Sequence, residues 1–155
     1  MELFQKYCKD ALRHIQIADH MLYVTLPIVN ENRLLLKIFQ EIYKSLKSSI
    51  HALLELEKQL GRITGTDEEE QQYLQFFKIA KNYDISLELA KQCKEIIELH
   101  KSFEESSLEF IKKENLVIMS PTLTIRKIDR AHIKEYLSKV KEVCMIVIKK
   151  INSYE

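Results

Sequence analysis

Two residues near the C-terminal end of the chain have the types and spacing for acid–base chemistry on a phosphate. Arg126 and His132 stand six positions apart in "LTIRKIDRAHIKEYL", Leu123 to Leu137. A histidine titrates near neutrality and trades protons there, and an arginine grips phosphate oxygens in a planar fork. Metal-independent RNA cleavage needs a base for the 2′-hydroxyl, an acid for the leaving oxygen and a cation on the pentavalent phosphorus. A structural reading competes with the chemical one. Asp129 is a natural N-cap, and His132 then falls in the first turn of the helix that Asp129 opens.

The other histidines make weaker constellations. His51 and Glu55 share a helix face at four residues' spacing, as do His100 and Glu104, but two ligands do not make a metal site. His100 lies on an apolar seam and is expected as a hydrogen-bonded core residue, with a ligand role the alternative. His20 is expected to pack near Tyr23. No Glu-x-x-His pair of the di-iron bundles occurs at any histidine. Cys8, Cys93 and Cys144 are scattered, with no Cys-x-x-Cys among them, and read as reduced thiols. Two glycines in 155 residues cannot build a phosphate loop. The expectation is no metal and no cofactor.

Few breakers also mean few turns. With two glycines, two prolines, 46% apolar and 30% charged residues, the composition suits long helices in one domain spanning 1–155. Four segments repeat apolar residues at alternating spacings of four and three. The first runs from Phe4 to Thr25 and is expected to stop at Pro27. The second starts near Asn30–Asn32 and runs from Leu35 to Leu60, with Gly61 as C-cap. The third runs Leu89, Cys93, Ile96, His100, Phe103, Ser107, Phe110, and the last from Ile133 to Ile151. Between the second and third, "TGTDEEEQQYLQFFKIAKNYD" reads as a shorter helix, with Thr66 as N-cap, Glu69 completing a capping box, and Tyr73, Phe76, Phe77 and Ala80 buried. The β-branched run "LVIMSPTLTIRKI" has no helical period, and either two short strands or an irregular connection fits it. The fold expected is an all-α bundle of four long helices and one short one, with an extended or hairpin segment before the last helix.

Two resemblances attach to these segments. "ADHMLYVTLPIVNENRLLLKIFQEIYKSLKSSIHALLELE" and "NLVIMSPTLTIRKIDRAHIKEYLSK" are similar to stretches of small uncharacterised archaeal helical-bundle proteins, a likeness that implies a fold and no activity. Arg126-x5-His132 resembles the Arg-x(4–6)-His motif of HEPN domains, all-helical bundles that often act as ribonucleases or as toxin and nucleotidyltransferase partners. There the motif sits near the start of a late helix, and Asn, Asp or His commonly follows the arginine, where this chain has Lys127. The resemblance implies that Arg126 and His132 are catalytic and that two copies across a dimer supply the full set.

The formal charge of +1 gives no overall field for nucleic acid, but its distribution is uneven. From Arg126 to Lys150 eight Lys/Arg face three acids, balanced by "TDEEE", Thr66 to Glu70. At 100° per residue, Lys127, Arg130, Lys134, Ser138, Lys141, Met145 and Lys149 form one stripe. It reads either as a solvated face or as a ladder for RNA phosphates or an acidic partner. Small residues Ser45, Ser48, Ser49 and Ala52, with Ala11 and Ala18, let two helices approach closely, either the first two or a homodimer pair. The start lacks a signal-peptide pattern and no apolar run reaches the ~20 residues of a membrane span, so the expectation is a cytoplasmic protein without a membrane. Two functions follow. The first is a non-catalytic helical module acting by self-association or partner-protein binding; the second is a HEPN-like metal-independent endoribonuclease, or its inactive relative, using Arg126 and His132.

Overall fold

The apolar seams form the helices they imply. The computed structural model describes the backbone over 2–105, 108–112, 115–119 and 125–154, with side chains over 2–105 and 128–154. Its helices are α1 (Leu3–His20), α2 (Leu26–Val29), α3 (Leu34–Gln59), α4 (Glu69–Ile79), α5 (Leu87–Glu105) and α6 (Arg130–Asn152). Strands β1 (Leu108–Lys112), β2 (Asn115–Met119) and β3 (Ile125–Ile128) lie between α5 and α6. The architecture is an all-α bundle of four long helices, α1, α3, α5 and α6, with the shorter α4, the single-turn α2 and a small antiparallel excursion before the last.

α3 is the central rod. Leu35, Ile38, Ile42, Leu46, Ile50 and Leu53 along it are fully buried, and α1, α4, α5 and α6 all pack on it. The α1–α3 seam is the most extensive contact, and the small residues permit it. Buried Ser45 donates its hydroxyl to the Ala11 carbonyl at 2.7 Å, which a larger side chain would prevent. α3 ends where its sequence ends it. Gly61 is left-handed at φ 74°, and the Gly61 and Arg62 amides return to the Lys58 and Glu57 carbonyls at 3.0 and 2.9 Å, a Schellman closure.

Three expectations are corrected. The first helix does not stop at Pro27. A π-helical turn over Met21–Thr25 joins α1 to α2, and the Leu26 amide reaches the carbonyl of Met21 five residues back. Proline lacks a donor and crowds the carbonyl four residues before it, and the wider turn relieves both. Asn30 then closes α2 in the left-handed region at φ 52°. Thr66 does not cap α4, whose N-cap is Glu68; the Thr66 hydroxyl instead accepts from the Glu68 amide at 3.2 Å. The third seam does not reach Phe110 as helix, because α5 ends at Glu105 and Phe110 belongs to β1, while Ser107 lies outside the described residues.

The extended run belongs to a three-stranded antiparallel sheet in the order β1-β2-β3, with Phe110 opposite Val117 and Ile118 opposite Arg126. The strand reading of "LVIMSPTLTIRKI" is therefore correct for its two ends, and the segment before it supplies a third strand.

Candidate functional site

α6 begins where the sequence places a cap. Asp129 accepts from the His132 amide at 2.9 Å, and the His132 ring folds back with Nδ1 at 2.8 Å from Asp129 Oδ1. Nδ1 also lies 3.5 Å from the Asp129 amide, too long to compete. The backbone amide of His132, then its ring, hold the Asp129 carboxyl below the usual carboxylate range. The ring is half exposed, and among the described residues its Nε2 carries no hydrogen bond. Arg126 is on β3 rather than on the helix, and its side chain and that of Lys127 lie outside the described residues. Convergence of Arg126 and His132 therefore also falls outside them.

The basic stripe of α6 runs against the end of the first helix. Arg130 donates from Nη2 to the Asn30 and Asn32 side-chain oxygens at 2.8 and 3.0 Å, while its buried Nε finds no partner among the described residues. The Lys134 ammonium sits 5.9 Å from the Tyr23 ring centroid, and Lys141 pairs with Asp19. Lys149 is exposed. Asp19 cancels the charge of Lys141, whereas neutral amides and a ring leave those of Arg130 and Lys134 uncancelled.

Between these cations the π turn and α2 expose apolar surface. Leu22 and Leu26 stay in the core, and the intervening and following side chains turn outward: Tyr23, Val24, Pro27, Ile28 and Val29 are all exposed, Ile28 to 79%. Sequence reasoning missed this patch because it treated Pro27 as a helix end. The signal available was "YVTLPIV" itself, which has more apolar residues than one buried face accommodates.

A second constellation was also missed. Tyr43 of α3 and Tyr73 of α4 touch through their hydroxyls, and both donate toward Glu69 Oε1, at 3.1 and 2.7 Å. Burial, chiefly, pushes both phenols above their ordinary range, and the Tyr73 hydrogen bond holds Glu69 below its own. His100 stacks flat on Tyr43 at 3.5 Å and meets Glu104 at 3.0 Å. It is hydrogen-bonded and partly covered rather than fully buried, with a side-chain exposure of 20%. The phenols stay protonated, the carboxylate ionised, and the cluster clamps the start of α4 onto α3. The visible signal was that a buried tyrosine needs a hydroxyl partner, with Glu69 one turn before Tyr73.

His51 lines a cleft of about 550 Å³ with Tyr7, Lys58, Asp67 and Gln72. Its ring meets Tyr7 edge-on and Gln72 at 3.3 Å, and burial holds its pKa below the ordinary value. Acids and a base mix in the walls, so the cleft favours no one sign of charge. His20 is exposed. Among the described residues no group of three His, Cys, Asp or Glu is placed to hold a metal ion, and no helix is long and apolar enough to cross a membrane.

No family model, curated protein or solved structure matches this chain.

Proposed function

We propose that the protein is a non-catalytic helical interaction module that works by association through the π turn, α2 and the adjoining cations of α6. The observation that supports this reading is the exposed run Tyr23, Val24, Pro27, Ile28 and Val29 beside Arg130 and Lys134. An apolar patch rimmed by polar groups is the form of a protein-binding surface, and the apolar centre supplies most of the affinity. A rim of uncancelled positive charge favours a partner that is apolar at its centre and acidic at its edge. Replacing Ile28 with Asp tests the reading. Its exposure means that the fold should hold, with an unchanged melting temperature, while concentration-dependent association in the ultracentrifuge, or retention of a partner protein on the immobilised chain, is lost. Association and retention that both ignore Ile28→Asp would sink it.

A second reading, the HEPN-like metal-independent endoribonuclease or its inactive relative, draws on one observation. Asp129 orients the His132 ring by Nδ1 and leaves Nε2 for proton transfer, the arrangement a general base requires. Arg126 would bind phosphate and Lys127, Arg130, Lys134, Lys141 and Lys149 the RNA backbone. Its test is cleavage of mixed RNA in excess EDTA, lost in His132→Ala. The same Asp129–His132 contact closes a helix cap, and three stripe cations already face residues 19–32, which is why this reading stands second.

A further inference from the structure

We infer that the occupant of this patch is a second copy of the same chain, which presents the start of its α4, so that copies associate head to tail. The inference rests on the association reading above and names its partner. The patch asks for an apolar centre with an acidic edge, and α4 offers one. Asp67, Glu68 and Glu70 are exposed ahead of Leu74, which is itself 53% exposed. Glu70 and Leu74 are one helical turn apart and share a face, with Asp67 leading into it. Glu70 pairs with Lys101, yet its side chain remains 67% exposed, so the pair is a weak surface contact that a second cation can share.

The two surfaces do not meet within one chain. Tyr43 and Tyr73 fix Glu69, and with it the acidic first turn, onto the flank of α3. Arg130 ties Asn30 and Asn32 to the start of α6 at the α2 end. Two copies of the α2 patch packed about a twofold axis would bring two basic rims together, a like-charge arrangement that disfavours a symmetric pair. The complementary arrangement is heterologous. It leaves one patch and one α4 unoccupied at the ends of each pair and therefore continues past two copies unless a ring closes. An anionic membrane is the other surface that an apolar patch with basic edges suits. It is disfavoured because Asp19 and Glu31 stand beside Lys141 and Arg33 at the patch, acids that an anionic surface repels, where lipid attachment relies on a cluster of basic residues without them.

The test uses the full chain with a benzophenone side chain in place of Ile28, irradiated as purified protein and in expressing cells. The expected adduct joins position 28 to the peptide around Glu70–Leu74 of another copy. Ultracentrifugation should show mass that grows with concentration beyond a dimer and falls with salt. Lys134→Glu and Glu70→Lys should each weaken association about tenfold, the double variant should recover most of it, and Leu74→Asp should abolish it with the melting temperature unchanged. A monomer at all concentrations, or an adduct between two α2 segments, overturns the inference. If position 28 then cross-links to a different protein in cells, the association reading survives without it; binding to anionic phospholipid vesicles that Ile28→Asp removes overturns both.

Discussion

Glu57 provides a demanding test of how the core is held. It is a carboxylate inside α3 with 2% of its surface exposed, accepting the Tyr83 hydroxyl and the Arg62 Nη1 at 3.3 Å. Tyr83 is buried too, and burial, followed by its bond to Glu57, raises its pKa well above the ordinary phenol value. Each group satisfies the other, and losing either alone orphans its partner. Glu57→Met should leave a hydroxyl without an acceptor in the core, at a cost of about 1–3 kcal/mol. Tyr83→Phe should leave the carboxylate with Arg62 alone, and a hydrogen bond to a charged group is worth about 1.5–3 kcal/mol. In the double variant no buried polar group is left unpaired, since Arg62 is exposed to solvent, and apolar replacement of a buried polar pair is close to neutral. The stability loss should therefore be smaller than the sum of the singles by about 2 kcal/mol. Urea unfolding followed by circular dichroism at pH 7 reads this directly. With an m-value of ~2 kcal/mol per molar, each single variant shifts the midpoint by about 1 M. Singles that simply add, with coupling under about 0.5 kcal/mol, would refute the reasoning and mean that water reaches the carboxylate.

Other perturbations separate packing, capping and burial. Phe39→Ala removes a ring that is 1% exposed and lies 5.0 Å from Phe103, and calorimetry should show a loss of ~3–5 kcal/mol and ~10 °C or more in melting temperature. Asp129→Ala should cost about 1 kcal/mol at neutral pH through loss of the cap. Because the folded pKa of Asp129 is depressed, its contribution is complete above the unfolded value of ~3.9 and fades as pH falls through the folded one. The gap between wild type and Asp129→Ala should thus close in acid, as denaturation at pH 7 and in the strongly acidic range would reveal. Burial pushes the Cys93 thiol up to about 12 and raises Cys144, whereas Cys8 is half-buried. A disulfide reagent at pH 8 should modify Cys8 first and reach the other two only after denaturant is added.

Much of the bundle was legible because burial leaves a period behind. Ile42, Leu46, Ser49 and Leu53 on α3 and Leu137, Val140, Cys144 and Val147 on α6 are the buried residues that the alternation marks. Gly61 and Asp129 ended and began helices as their chemistry requires. The period misled at Phe110, since Phe103, Ser107 and Phe110 continue a helical spacing by coincidence and nothing local forbids another turn. The added strand arises from hairpin pairing of neighbouring segments, Phe110 with Val117, which a helical spacing read along one of them does not carry. The Tyr43–Glu69–Tyr73 clamp is non-local, as its members come from two helices. The cap chemistry of His132 was readable, because Asp129 and His132 are three apart. The facing of Arg130, Lys134 and Lys141 toward residues 19–32 depends on how α6 lies against α1, which a stripe drawn on an isolated helix leaves open.

The π turn over Met21–Thr25 holds one residue more than an α-helix would place there. In effect it is an insertion that the chain absorbs without breaking the rod. Each residue of an α-helix advances about 100° around the axis. Deleting one residue within 21–25 would let the other four close as an ordinary α turn, so that Leu26 would keep its place in the core and the side chains after it their outward faces. The wider turn is what seats Leu22 and Leu26 in the core with both Tyr23 and Val24 outward between them. A chain one residue shorter there would keep its rod and its core, and give up one side chain of the outward run.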